Sequence, residues 1–224
     1  MPPKPKLTKD EIAAMALTLI REEGVEALTA RELGKRLGVS STPIFTVFRN
    51  MDEVKQAARE LCFTEFEEQF SDLESYTPAF KRVGMLTVQF AVQEPELFKL
   101  LFMQAHAEQQ SFENTFHDLG NVGKTCLQMI QRDYELSEAD AKRLFEAMWL
   151  YTFGVGAMCA MKVCHFSEEE TALRLGQAFA GTIAIIKSGK YNNLFTAQPE
   201  KDSGGMYNGN KVGDMPFVKP NPSH

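Results

Sequence analysis

Runs of β-branched residues are scarce in this 224-residue chain, and without them a sheet-based core has little to build on. Leu, Phe, Ala and Met supply most of the apolar content, which favours helices. No cysteine framework is present either. Cys62, Cys126, Cys159 and Cys164 fall at irregular spacings, and the opening M-P-P-K-P-K-L-T has no apolar segment of the kind that targets a chain for export. These two absences argue for reduced thiols and a cytoplasmic location. No membrane span is expected: the longest apolar stretch, Leu144 to Val163, is interrupted by Glu146, Gly154, Gly156 and Lys162. Catalysis has no foothold, because the chain lacks a phosphate loop, a G-x-S-x-G and an H-E-x-x-H, and it calls for no cofactor. Cys159, Cys164 and His165 match no common zinc spacing and read as thiols at an apolar helix end.

Positive charge is in deficit overall, with a formal net of −6, but it is unevenly shared. Residues 1–60 hold ten Lys/Arg against nine Asp/Glu, while residues 61–224 hold fourteen against twenty-one. Within residues 29–49 Arg31, Lys35, Arg36 and Arg49 face a single acid, Glu32. An acidic chain with one locally basic segment can touch a polyanion there and be repelled elsewhere.

What is present is helix signal almost from end to end, so the expected fold class is all-α. Thr8-x-x-Glu11 and Thr29-x-x-Glu32 are capping boxes, and Gly24 and Gly38 are stops. A short third helix follows, with Thr42 as cap and Pro43 at its first position, or with Ser40 or Ser41 as cap. A fourth is expected to begin near Asn50 or Asp52 and to run towards Phe70. Longer helices are expected over about 78–93, 96–109, 112–134, 138–163 and 168–188, with Ser137-x-x-Asp140 resembling a cap for the fourth of these and Ser167-x-x-Glu170 a capping box for the last. The Asn-, Gly- and Pro-rich stretch 191–224 reads as a mobile tail. The domain organisation is then a unit of short helices over 1–60 with a basic arm at 1–7, a helical unit over 61–190, and the tail.

Three short helices joined by tight turns, with basic and hydroxyl residues on the second and third, make a helix-turn-helix. The third helix is too short to stand alone. Its apolar residues Ile44, Phe45 and Phe48 are expected to pin it to its neighbours, leaving Ser41, Thr42, Pro43 and Thr46 as a small polar outer face. That face suits a major groove about 12 Å wide, which brings a backbone near base edges only if the intervening side chains are small.

On these residues the chain resembles the TetR family of transcriptional regulators. L-T-A-R-E-L-G-K-R-L-G-V-S and I-F-T-V-F-R-N-M-D-E-V follow that family's second helix, turn, recognition helix and fourth-helix start in order and spacing. The resemblance implies that Thr29 meets a phosphate and that Ser40, Ser41, Thr42, Pro43 and Thr46 face bases or backbone of a double-stranded operator. Two positions depart from the family pattern: Phe45 stands where a tyrosine is common and Met51 where a lysine is common. Phe45 then either packs into the core or lies against sugar or a thymine methyl, and Arg49, Lys4 and Lys6 are substitute phosphate contacts. The resemblance also implies a homodimer and a small-molecule effector. Ala172, Gly176, Ala180 and Ala184 form one small-residue stripe suited to a dimer contact, and Thr152, Gly156 and Ala160 a second. Phe90, Phe102, Met103, His106, Met129, Trp149 and Phe153 are the candidate effector pocket. The competing reading is an all-helical carrier or enzyme whose first three helices only pack.

Overall fold

The structure, a computed structural model, describes residues 7–76, 78–105 and 119–190. Eight α-helices and no strand occur among the described residues: α1 Lys9–Glu23, α2 Ala30–Arg36, α3 Met51–Glu68, α4 Ala79–Gln93, α5 Pro95–Phe102, α6 Gly120–Tyr134, α7 Glu138–Ala160 and α8 Glu168–Lys187. The all-α class is as expected. None of the described helices is long and apolar enough to cross a membrane. The arm at 1–6, His106 and the tail at 191–224 lie outside the described residues.

Local chemistry sets most of the helix starts. Thr8 Oγ1 accepts the Glu11 N–H at 3.2 Å while the Glu11 carboxylate accepts the Thr8 N–H at 2.8 Å, and Ser167 with Glu170 repeats the arrangement at α8. Thr29 caps α2 from one side only. Its hydroxyl accepts the Glu32 N–H, but the Glu32 carboxylate turns to Lys35 and Arg36, so the second half of the expected box is not made. The helix expected over 96–109 ends at Phe102, where Met103 leaves helical geometry.

One continuous core runs from α1 through α8. At its centre Phe66 of α3 packs its ring 5.1 Å from Phe90 and 5.2 Å from Phe102, and Phe98 stacks on Phe153 at 6.1 Å. Gly156 makes room for this cluster: a Cβ there would lie 2.9 Å from the Phe98 ring and 3.3 Å from Ala91 Cβ. Thr152, Gly156 and Ala160 are all buried within the protomer. The second small-residue stripe is therefore internal, because it admits α4 and α5 against α7, and its assignment to a dimer contact is corrected.

The junction between the first three helices and the bundle is polar at its rim. Arg21 of α1 pairs with Glu65 of α3 and, at 3.2 Å, with Glu94 at the α4–α5 corner. The Glu96 carboxylate closes over Gly24, whose φ of 85° ends α1. Arg59 donates to the Leu101 carbonyl at 3.1 Å and Lys55 to Gln104 at 2.6 Å, which ties α3 to α5 along its length.

Candidate nucleic-acid interface and effector cavity

The turn after α2 is built by two glycines. Gly38, at φ 69°, donates to the Lys35 carbonyl at 3.2 Å, and Val39 donates to the Gly34 carbonyl at 2.9 Å, the paired bonds that end a helix on a left-handed residue. Gly34 lets the returning chain sit on the helix, since a Cβ there would stand 3.0 Å from the Val39 carbonyl oxygen.

The next segment departs from expectation in form. Ile44–Thr46 is a 3₁₀ turn rather than an α-helix: the N–H groups of Ile44, Phe45 and Thr46 donate to the carbonyls of Ser41, Thr42 and Pro43 at 3.1–3.2 Å. The Thr42 hydroxyl makes no cap, and Pro43 already has helical φ and ψ. The physical reason lies in the composition and the tethers. Ile44, Thr46 and Val47 are β-branched, and the segment is fixed between the glycine turn and Asn50, which accepts the Glu53 N–H to start α3. The Thr46 hydroxyl adds a bond of 2.6 Å to the Pro43 carbonyl.

Two side chains anchor this turn. Ile44 is fully buried and Phe48 is 2 % exposed, with the Lys9 ammonium 5.6 Å above the Phe48 ring. Phe45 is not a third anchor. It is 45 % exposed, and the reading that buried it is corrected, because a 3₁₀ turn places Ile44 and Phe45 on different sides. Thr29, Ser40, Thr42, Thr46 and Arg49 are exposed, and Ser41 and Pro43 are half-buried. The Arg49 side chain is 90 % exposed, with Nε 3.4 Å from the Glu53 carboxylate. The local basic charge is smaller than the sequence suggests. Arg36 is spent internally on Glu22 and Glu23, which clamp α2 to α1 and push the guanidinium pKa above its ordinary value. Arg31, Lys35 and Arg49 remain exposed.

The expected effector pocket is mostly core. Phe90, Phe102 and Phe153 belong to the ring cluster around Phe66 and Phe98, Met129 is buried, and Met103 packs half-buried against the same core. Open space lies instead between α4, α6, α7 and α8, in a cavity of about 110 Å³. Phe80, Gly84, Thr87, Tyr134, Phe145, Trp149, Thr152, Leu175, Gly176 and Phe179 are among its walls, so among the described residues of the expected set Trp149 alone carries over. Phe145 and Trp149 stack within 7° of parallel, and Tyr134 meets Phe179 at 4.9 Å. The polar handles are few. The Thr87 hydroxyl donates to the Val83 carbonyl at 2.8 Å, and burial, followed by the Asp133 charge, pushes the Tyr134 phenol up, so it remains a donor at neutral pH. Nothing in helical periodicity distinguishes these cavity walls from core; only the Thr87 and Thr152 hydroxyls on otherwise apolar faces were a signal.

Two exposed rows mark another surface. On α7 Leu150, Tyr151 and Met158 are 39–53 % exposed and Gly154 opens to empty space. On α8 Leu173 is 61 % exposed, Ala180 and Ala184 face outward, and Gly176 and Gly181 have nothing within 4 Å of a Cβ position.

Residues 12–58 match the family described as bacterial regulatory proteins, tetR family. Among solved structures, a TetR variant from Acinetobacter baumannii AYE in complex with minocycline is similar, with 20 % identity, 84 % of this chain and 98 % of that chain covered, and a TM-score of 0.50. At that identity the likeness is one of fold. No curated protein matches the chain.

Proposed function

We propose that the chain is a tetR-family DNA-binding regulator, a reading supported by the family match over residues 12–58, and that it acts as a homodimeric, cytoplasmic repressor that holds a palindromic operator until a small molecule releases it. The observation that carries this reading is a short turn fixed by Ile44 and Phe48 that presents Thr42, Phe45, Thr46 and Arg49 to the outside. Enzymatic chemistry is not part of the proposal.

In this reading Thr29, Ser40 and Arg49 meet the backbone, while Thr42, Pro43 and Thr46 approach base edges and Phe45 lies on a sugar or a thymine methyl. Thr46→Ala is expected to change the preference among operator variants by about 1 kcal/mol, whereas Arg49→Ala weakens binding to all of them alike. Binding titrations on a set of single-base operator variants check this. A uniform loss for Thr46→Ala removes it from base reading.

The dimer face is assigned to the exposed rows of α7 and α8, where glycine and alanine let two helices of one protomer approach two of the other. The effector is assigned to the cavity between α4, α6, α7 and α8. Its volume of about 110 Å³ suits one apolar ring, and the Tyr134 and Thr152 hydroxyls supply hydrogen bonds to a polar substituent. The similar TetR variant is in complex with minocycline, which supports a small-molecule effector for this chain. Gly176 belongs both to the cavity wall and to the α8 row, so filling the cavity moves a dimer helix. A release mechanism requires that the effector prefer the DNA-incompetent arrangement.

Trp149, the single tryptophan, reports occupancy directly. A panel of single-ring phenols is expected to contain compounds that change Trp149 fluorescence and weaken operator binding about 5- to 150-fold, with operator DNA lowering their affinity by the same factor. Ligands that bind and leave operator affinity untouched would exclude this switch.

A further inference from the structure

The four thiols are free and sit in two kinds of surroundings. Cys62 and Cys126 lie in the core, where burial pushes both up to about 12, and a thiol so placed is inert. Cys159 and Cys164 line one surface cleft of about 290 Å³ between the end of α7 and the α4–α5 corner. After α7 the chain doubles back: Lys162 takes a left-handed φ of 58° and donates to the Cys159 carbonyl at 2.9 Å, while Val163 and Cys164 both donate to the Met158 carbonyl, at 2.9 and 3.3 Å. Past the turn, Phe166 packs against the small cluster of Val88, Val155 and Cys159. The returning strand thus lies over Cys159 with Cys164 two residues away, and both thiols open to the same cleft, as do Lys162 and His165.

We propose that Cys159 and Cys164 are a dithiol site oxidised by hydroperoxides. Cys164, half-buried where Cys159 is 9 % exposed, meets the oxidant first. Its sulfur, giving up the thiol proton to the departing oxygen, attacks the hydroxyl oxygen of the hydroperoxide and the O–O bond breaks. The other oxygen leaves with a proton as an alcohol, and Cys164 is left as a sulfenic acid. The Cys159 sulfur then attacks the Cys164 sulfur, an S–S bond forms, and the hydroxyl leaves with the Cys159 proton as water. Two thiols lose two electrons, and the hydroperoxide gains them to become alcohol and water.

The site has a route to the DNA-binding unit, and this limb rests on the regulator reading. Val92 and Pro95 form the opposite wall of the cleft; between them Glu94 pairs with Arg21 of α1, and beside them Glu96 lies against Gly24 at the end of α1. Drawing Cys164 onto Cys159 reshapes the wall against which that corner rests.

The test treats the full chain with tert-butyl hydroperoxide and reads mass and operator affinity separately. The expected product has lost two hydrogens, and trypsin, which cuts after Lys162, yields two peptides still joined through Cys159 and Cys164 until dithiothreitol separates them. Cys164→Ser is expected to lose no hydrogens, and Cys159→Ala is expected to stop at a sulfenic acid on Cys164, with Cys62 and Cys126 unmodified throughout. A Cys164 sulfinic acid beside a free Cys159, or a link involving Cys62 or Cys126, overturns the site. The oxidised chain is expected to bind operator about 5- to 150-fold more weakly than the reduced chain, an effect absent in Cys164→Ser. Equal affinity with the disulfide in place overturns the coupling. A reduced chain that binds no operator defeats the regulator reading and leaves the mass result standing.

Discussion

Leu173→Glu is expected to give a monomer that folds normally and binds operator about 10²- to 10⁴-fold more weakly than the parent chain. Leu173 is 61 % exposed in the protomer, so a glutamate there meets water and costs the fold little. In the proposed dimer the same carboxylate would be buried against apolar partners, where an unpaired charge is not tolerated. The loss in operator affinity follows from geometry. Two readers about 34 Å apart meet successive major grooves on one side of the duplex, and only a fixed dimer makes the second contact effectively intramolecular. Sedimentation velocity and an operator titration on the same preparation check both halves. A Leu173→Glu variant that remains dimeric moves the interface away from the α7 and α8 rows.

Ile44→Ala is expected to lower the unfolding free energy by about 2–5 kcal/mol and to abolish operator binding at temperatures where the rest of the chain stays folded. A three-residue 3₁₀ turn has no stability of its own, and its position comes from the fully buried Ile44 and the nearly buried Phe48. Removing Ile44 leaves a void beneath the very segment that carries Thr42, Phe45 and Thr46. Urea unfolding monitored by circular dichroism gives the first quantity, and a binding titration gives the second. A loss below about 1 kcal/mol with normal binding would mean the turn is held by its tethers at Gly38 and Asn50 rather than by its core contact.

Those two sites also show where sequence reasoning succeeds and where it stops. The helix starts at Thr8, Asn50, Ser137 and Ser167 were legible because a cap is a local bond between residues three apart, and each is made. The order of the first helices and the glycine turn at Gly38 were legible for the same reason. The form of the Ile44–Thr46 turn was not, since the choice between α and 3₁₀ over so few residues is set by the tethers at its ends. Small residues at four-residue steps look alike whether they meet another chain or their own. Gly156 is internal because the Phe98 ring, far away in sequence, fills the space beside it, whereas Gly176 looks into a cavity on one side and onto an open face on the other. The cavity itself is a property of what does not fill, and Phe90, Phe102 and Phe153 were indistinguishable from Phe80, Phe145 and Phe179 until their neighbours were placed.

If the Ile44–Thr46 turn and its basic surroundings bind duplex DNA in pairs, the salt dependence of binding to a palindromic fragment from beside the chain's own gene will show it. Arg31, Lys35 and Arg49 are exposed on each reader, so the proposed dimer would bring six such charges to phosphates. At about −0.9 per phosphate neutralised, the plot of log K against log salt is expected to fall with a slope of about −5 and a stoichiometry of two chains per site. Binding that is absent at low salt, or present with a flat slope, would contradict the account and leave a helical small-molecule binder whose first three helices only pack.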